Sequence, residues 1–241
     1  MFNIEVQMTE SKFQVTPYEP LFWPRKYTLV HRIIFLAIML YLTIEGTVNR
    51  GWRRYIFLTV QSEIMMVIYN IVAILHYLLD NDEDRTITKV KSVIMHISAS
   101  FQFLVMIFYW LVLVPLDWLR IQNTFPEDSD KRFYHMVSFV QHAIYCIYIW
   151  FNIMTERTTF SNSNLKYLLT YALIYTLFNL GYTKYYGVPI YPPIDWKTPK
   201  SAVMMGASFL LAMAGFRLST GLSNRISSAF GFKIKDILTS K

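Results

Sequence analysis

The sequence predicts an all-α integral membrane protein, a bundle of about six transmembrane helices. Apolar residues make up 54% of the 241 residues, and charged residues only 16%, whereas soluble domains carry about a quarter of charged residues. Six apolar stretches are each about 20 residues long, the length that a helix needs to cross a bilayer. No stretch keeps up the alternation of apolar and polar residues that is typical of a half-buried strand.

The six predicted spans divide the chain into a membrane domain and two flanking segments. The spans are Leu29–Val48, Tyr55–Leu79, Ser92–Leu116, Tyr134–Met154, Leu165–Lys184 and Ser201–Leu218. Residues 1–28 form an N-terminal arm outside the bilayer, 29–218 the transmembrane domain, and 219–241 a basic amphipathic tail. This tail lies along the membrane surface, docks on another subunit, or is a frayed, solvated terminus.

The distribution of charge favours membrane lipids over nucleic acid as the partner. The net charge is +7, but the cations lie in short segments between apolar runs, where they orient spans and meet headgroups. More of them lie on the side of the two termini, which favours termini in the cytoplasm or an organelle matrix. Cys146 is the single cysteine of the sequence, so no intramolecular disulfide is expected. The first residues resemble neither a cleavable secretory signal nor an Arg-rich transit peptide.

Small residues four positions apart in the last span predict a close contact with a neighbouring helix. These pairs are Ala202/Gly206 and Ser208/Ala212. Small side chains allow two transmembrane helices to approach closely.

Polar side chains inside two spans predict an interior site. Thr59, Glu63 and Asn70 share one face of span two, and Ser138 and His142 share one face of span four. An ionisable group in hydrocarbon is costly and marks a candidate site. The alternative is a hydrogen-bond network that only holds the bundle together. Thr59 and His142 enter the bilayer from the same side, which favours a common cavity.

The segment "YYGVPIYPPIDW" between the last two spans belongs to that side as well. Its prolines restrict the backbone, and its aromatic rings suit the membrane–water interface. We expect it to form a rigid interfacial cap over the polar cavity. The residues of this cap are Gly187, Tyr191, Pro192, Asp195 and Trp196.

Other titratable residues fit structural roles better. His31, Arg32 and His76 lie near span ends and are interpreted as anchors that reach the interface. His96 is interpreted as a packing residue with satisfied nitrogens. No pair of His, Asp or Glu has metal spacing, and no glycine-rich phosphate loop is present. The expected ligands are therefore lipids, with no metal or other cofactor.

Four short segments, two of which overlap, resemble two related families of six-span membrane proteins. "WRRYIFLT" (Trp52–Thr59) and "SFVQHAIYCIYIWFN" (Ser138–Asn152) are similar to spans two and four of the androgen-induced-gene hydrolases, which cleave fatty-acid esters of hydroxy fatty acids, and of the rolling stone family. Gly187–Pro192 resembles the first family, and "IYPPIDWKTP" (Ile190–Pro199) the second.

The resemblance assigns a threonine nucleophile and a histidine base to Thr59 and His142. A hydroxyl becomes nucleophilic when a base takes its proton, and the histidine can then protonate the leaving alkoxide. Phe139 and Asn152 depart from the hydrolase pattern, which has a histidine and an acid at these two positions. Glu63 or Asn152 would then orient the imidazole.

Two functional hypotheses follow, from different classes. Because of those departures, the preferred one is a non-catalytic accessory subunit of a larger membrane complex, which holds lipid in the cavity and meets other subunits through its arm and tail. A respiratory-type assembly of the mitochondrial inner membrane is favoured, with endomembranes or the plasma membrane as alternatives. The second is an intramembrane threonine hydrolase of fatty-acid esters. Proton transport ranks third, because spans two and four lack mid-membrane breaks.

Overall fold

The computed structural model describes residues 25–79, 85–115, 136–156 and 160–239, and over these ranges it confirms the all-α fold. The long helices are α1 (Arg25–Arg50), α2 (Leu58–Leu78), α3 (Arg85–Phe108), α4 (Met136–Thr155), α5 (Leu165–Tyr186) and α6 (Pro199–Thr239). A π-helical turn over Tyr109–Leu113 prolongs α3, and a second one over Val140–Ile144 lies inside α4. Most of the predicted N-terminal arm lies outside the described residues, and α1 begins at Arg25 rather than Leu29.

The helices make the chain a polytopic membrane protein. Five of them are long and apolar enough to cross a bilayer, over Lys26–Val48, Leu58–Leu78, Thr86–Val112, Met136–Thr155 and Pro199–Ile226. The fifth predicted span forms α5, which has 22 residues but is not among these five. Its many tyrosines, together with Asn179 and Lys184, lower its mean hydropathy.

Helix ends follow local backbone chemistry. Gly187 ends α5 with φ 69°, and its N–H donates to the Thr183 carbonyl at 2.9 Å. This left-handed cap strains any residue with a Cβ. Pro199 opens α6, where its missing N–H costs nothing. The helix then continues past the predicted boundary at residue 219, and its span reaches Ile226, because Ser219 and its neighbours are buried between helices.

Helix α3 is the centre of the bundle and packs against α2, α4, α5 and α6. One apolar cluster lies where α1, α2 and α4 meet it and includes Met66, Tyr145 and Ile149. A second lies where α5 and α6 meet it and includes Phe101 and Phe216. Many large apolar side chains face outward, as expected for helices in lipid.

The predicted contact through Ala202 and Gly206 does not form with another helix of the described chain. Both residues are exposed in the described structure, and a Cβ at Gly206 would meet no atom within 4 Å. The close approach of α6 to α3 occurs instead at Gly215, where an added Cβ would lie 3.0 Å from Phe103 Cβ and 3.1 Å from the Ser100 carbonyl. The spacing of small residues alone does not say which side of a helix meets a neighbour.

Candidate functional site

A cavity lies beside α3, between α5, α6 and the first turn of α2. It contains about 660 Å³ of empty space, a figure that includes its open mouth. Its walls are mainly apolar and include Phe101, Leu104, Phe108, Phe209 and Ala212. A few polar side chains interrupt this surface, an arrangement that fits an acyl chain with a polar group at one end.

Thr59 and His142 both line this cavity. Thr59 is the second residue of α2 and is half-buried, while His142 is 8% exposed. The structure therefore brings together the two residues that the sequence analysis selected. No hydrogen bond between their side chains is present in the described part of the chain.

The two π-helical turns meet at the histidine. Tyr109, the first residue of one turn, stacks on the imidazole of His142 in the other, with 3.6 Å between ring centroids and 8° between planes. A π-helical turn is rare and often accompanies a functional site, because it costs regular hydrogen bonding. The buried Nδ1 of His142 has no hydrogen-bond partner in this structure. The imidazole is thus held by stacking.

Glu63 does not orient His142. Its carboxylate forms a buried ion pair with Arg54 at 3.1 Å. It also accepts hydrogen bonds from Thr43 at 3.0 Å and Tyr145 at 3.3 Å. Although Thr59 and Glu63 are one helical turn apart, only Thr59 faces the cavity, since Glu63 points toward α1 and α4.

Asn152 does not orient His142 either. Its amide nitrogen donates to the Tyr148 carbonyl at 2.8 Å, and its oxygen lies 3.2 Å from Nε2 of His31. Asn152 follows His142 by almost three helical turns, so its side chain makes its contacts near the other end of α4.

The segment after α5 covers the cavity through Tyr191 and Ile194. The Tyr191 hydroxyl accepts a hydrogen bond from the backbone N–H of Leu58 at 2.8 Å and so caps the start of α2. Burial raises the pKa of the Tyr191 phenol, and hydrogen bonds with Tyr175, Leu58 and Thr59 oppose that rise. This contact confirms that the segment and Thr59 lie at the same end of the bundle.

Asp195 and Trp196 hold the cap in place, whereas Pro192 is exposed. Asp195 accepts hydrogen bonds from the Lys197 N–H at 3.0 Å and the Ser201 hydroxyl at 2.9 Å, and these two contacts lower its pKa. The indole N–H of Trp196 donates to Asn179 Oδ1 at 2.7 Å. Trp196 adopts φ 57°, a strained conformation for a residue with a Cβ.

Besides Arg54–Glu63, the bundle contains a second buried ionic group, around Glu156, which the sequence analysis did not predict. Arg32 is 1% exposed and pairs with Glu156, so it does not act as an interfacial anchor. The same carboxylate lies 3.4 Å from Lys91 Nζ and accepts a hydrogen bond from Tyr69 at 2.6 Å. We call the two ionic groups, Arg54–Glu63 and Arg32–Glu156–Lys91, the charged seam.

The sequence contains one signal for this seam. Tyr145, Tyr148, Asn152 and Glu156 recur at steps of three or four residues, so the first three lie on one face of α4, and Glu156 follows directly after its last residue. His76, interpreted as an anchor, is also buried, 3.5 Å from the Thr88 hydroxyl.

His96 is a satisfied packing residue, as the sequence analysis proposed. It lies between the rings of Phe160 and Phe216, and its Nε2 is 2.9 Å from the Thr220 hydroxyl. Among the residues that the structure describes, no three His, Cys, Asp or Glu side chains are grouped as around a metal ion.

Comparisons with family models, with curated proteins and with solved structures found no match for this chain.

Proposed function

We propose that this protein is an integral membrane accessory subunit that holds a lipid in the cavity without converting it. The single observation that carries this proposal is the unsupported His142 in a mainly apolar cavity. A weakly nucleophilic hydroxyl needs a base whose orientation is fixed by a third group. Among the described residues, Nδ1 of His142 has no hydrogen-bond partner, while Glu63 and Asn152 bind other groups.

The length of α6 supports a role in a larger assembly. The helix has 41 residues, which at 1.5 Å per residue is about 60 Å, roughly twice the hydrocarbon thickness of a bilayer. Its apolar span ends at Ile226, so the last turns extend beyond the membrane. We propose that the segment before α1 and the part of α6 after Ile226 contact neighbouring subunits, and that the assembly belongs to the mitochondrial inner membrane.

Lipid retention is tested on the full-length protein purified in a mild detergent. Extraction and mass spectrometry should recover a lipid in about equimolar amount from the wild type, and much less from a Thr59→Leu/His142→Leu variant. Thr170→Ala, at an exposed position of α5, is the matched control. Equal recovery from all three proteins would contradict the proposal.

Assembly and location are tested in the native cell. A tagged chain should enrich with inner mitochondrial membrane and migrate on a native gel as part of a large complex. Migration as a lone protein after mild extraction would contradict the subunit role.

A second candidate function is the hydrolysis of lipid esters, favoured by the presence of Thr59 and His142 on one cavity. Thr59 would attack the ester carbonyl, His142 would accept its proton, and the alkoxide would leave with that proton. Water, deprotonated by His142, would then cleave the acyl-threonine ester, releasing the fatty acid and restoring the Thr59 hydroxyl. Hydroxy-fatty-acid esters or an acylating probe would then react with the wild type and not with Thr59→Ala. Equal reaction of the two proteins would exclude this candidate.

A further inference from the structure

We infer that the lipid in this cavity is uncharged and carries a hydrogen-bond acceptor, such as an ester or ketone carbonyl or a hydroxyl, beside Asn179. This inference rests on the proposed function, because it names the class of lipid that the proposed cavity holds.

The first observation is the absence of charge from the cavity wall. Among the described residues that line it, none is Lys, Arg, Asp or Glu, and the polar positions include Thr59, His142, Thr176, Asn179 and Ser208. The ionic groups of the charged seam instead pair with one another at other helix contacts. A carboxylate or phosphate inside this wall would lose its hydration without gaining a cation, which is costly.

The second observation is a buried donor without a regular hydrogen bond. Asn179 is 0% exposed and lines the cavity. Its Oδ1 accepts the indole N–H of Trp196, which fixes which end of the amide is the nitrogen. The Nδ2 group makes no hydrogen bond of regular geometry in the described structure, and the Tyr175 hydroxyl is a polar group beside it. Buried amide groups normally make such a hydrogen bond, so a missing ligand group is a direct explanation.

His142 supplies a second such group. Its buried Nδ1 has no hydrogen-bond partner in the part of the chain that the structure describes, and the ring stacks on Tyr109. Depending on the tautomer, this nitrogen donates or accepts. A lipid head with a carbonyl and a hydroxyl would satisfy both residues. A quaternary amine, which has no acceptor, would satisfy neither.

The cap segment contributes to the recognition of the lipid head, because it positions the Asn179 side chain. Trp196 lies in the segment that covers the cavity, and its hydrogen bond sets the orientation of the Asn179 amide. The head of the lipid is therefore expected below the cap, with the chain directed between Leu104, Phe108 and Phe209.

The test compares three lipids of equal chain length on the purified full-length protein in detergent. Radiolabelled 1-oleoylglycerol, oleate and oleoyl-lysophosphatidylcholine are added at pH 8, where oleate is ionised. We expect 1-oleoylglycerol to bind at least tenfold more tightly than either charged lipid. Asn179→Leu should weaken that binding about tenfold, whereas Thr170→Ala should leave it unchanged.

A cation placed in the wall gives an independent readout. Ser208→Lys should reverse the preference toward oleate, and gel filtration identifies variants that do not fold. Equal or tighter binding of the charged lipids by the wild type overturns this inference alone and leaves lipid retention intact. If none of the three lipids binds and extraction recovers none, both the inference and the proposed function are overturned.

Discussion

The charged seam and the cavity are two polar regions of one apolar bundle, and they differ in charge, because the seam consists of paired ions while the described lining of the cavity is uncharged. In the seam every carboxylate has a cation, as Glu63 has Arg54 and Glu156 has Arg32 and Lys91. Among the described residues, the cavity lining contains no Lys, Arg, Asp or Glu, and neither Asn179 Nδ2 nor His142 Nδ1 has a regular hydrogen-bond partner.

This difference suggests that the charged seam contributes mainly to stability and the cavity mainly to lipid binding. A buried ion must be paired, because an isolated charge in a low-dielectric interior is too costly. A neutral polar atom without a partner costs about 1–3 kcal/mol, which a fold tolerates at a few positions. We therefore expect substitutions in the seam to lower stability and substitutions in the cavity to affect lipid binding first.

The largest expected effect comes from breaking an ion pair. Glu63→Ala leaves the guanidinium of Arg54 buried without its carboxylate, and should lower the free energy of unfolding by about 3–5 kcal/mol. The measurement is unfolding by SDS in mixed micelles. The double variant Arg54→Met/Glu63→Met should lose less than Glu63→Ala, since no charge is left unpaired. Strictly additive losses would show that the two residues are not coupled.

Gly46→Ala should disturb the ion pair between Arg54 and Glu63 by displacing the guanidinium. An added Cβ would collide with the Arg54 guanidinium, and displacing this group should cost about 1–3 kcal/mol. Gly206→Ala is the matched control, because a Cβ there meets nothing within 4 Å. The same unfolding assay should find the control unchanged or slightly more stable. Equal losses in both variants would point to a general effect of replacing glycine.

His142→Phe should increase stability while reducing lipid retention. A phenyl ring preserves the stack on Tyr109 and removes a buried nitrogen without a partner, so the free energy of unfolding should rise by about 1–2 kcal/mol. His96→Phe is the contrasting control, because it removes the hydrogen bond to Thr220 and should lower stability without reducing lipid retention. Lower stability in both variants would contradict the distinction between seam and cavity.

The smallest expected effect concerns pH and the cap. The hydrogen bonds from Lys197 N–H and Ser201 keep the pKa of Asp195 below its ordinary value, so the folded state favours the charged carboxylate. Its stabilisation is present above the ordinary pKa of aspartate, about 3.9, and is lost as the pH falls through the lowered value. Melting curves between pH 6 and 3 should show a smaller decline for Asp195→Asn. An identical decline would exclude this role.

The sequence predicted much of the site but not its contacts. Thr59, His142 and the segment with Tyr191 were selected because polar groups in a span and prolines between spans are visible locally. The predicted role of Glu63, orienting His142, was wrong. Glu63 lies one helical turn from Thr59, but its carboxylate binds Arg54 and Thr43. These two residues belong to other elements, so the local sequence does not show the contact. Arg32 was likewise assigned to the interface, since its partner Glu156 lies far away along the chain.

Composition and periodicity alone determined that this chain is an all-helical membrane protein, because the bilayer requires long apolar segments whose backbone groups bond internally. Local chemistry also determined where α5 ends, at Gly187. The tertiary structure decided which buried polar groups are paired, because ion pairing depends on which helix faces meet. It also decided that Tyr109, His142 and Asn179 border one cavity, since their positions follow from the packing of α3, α4 and α5.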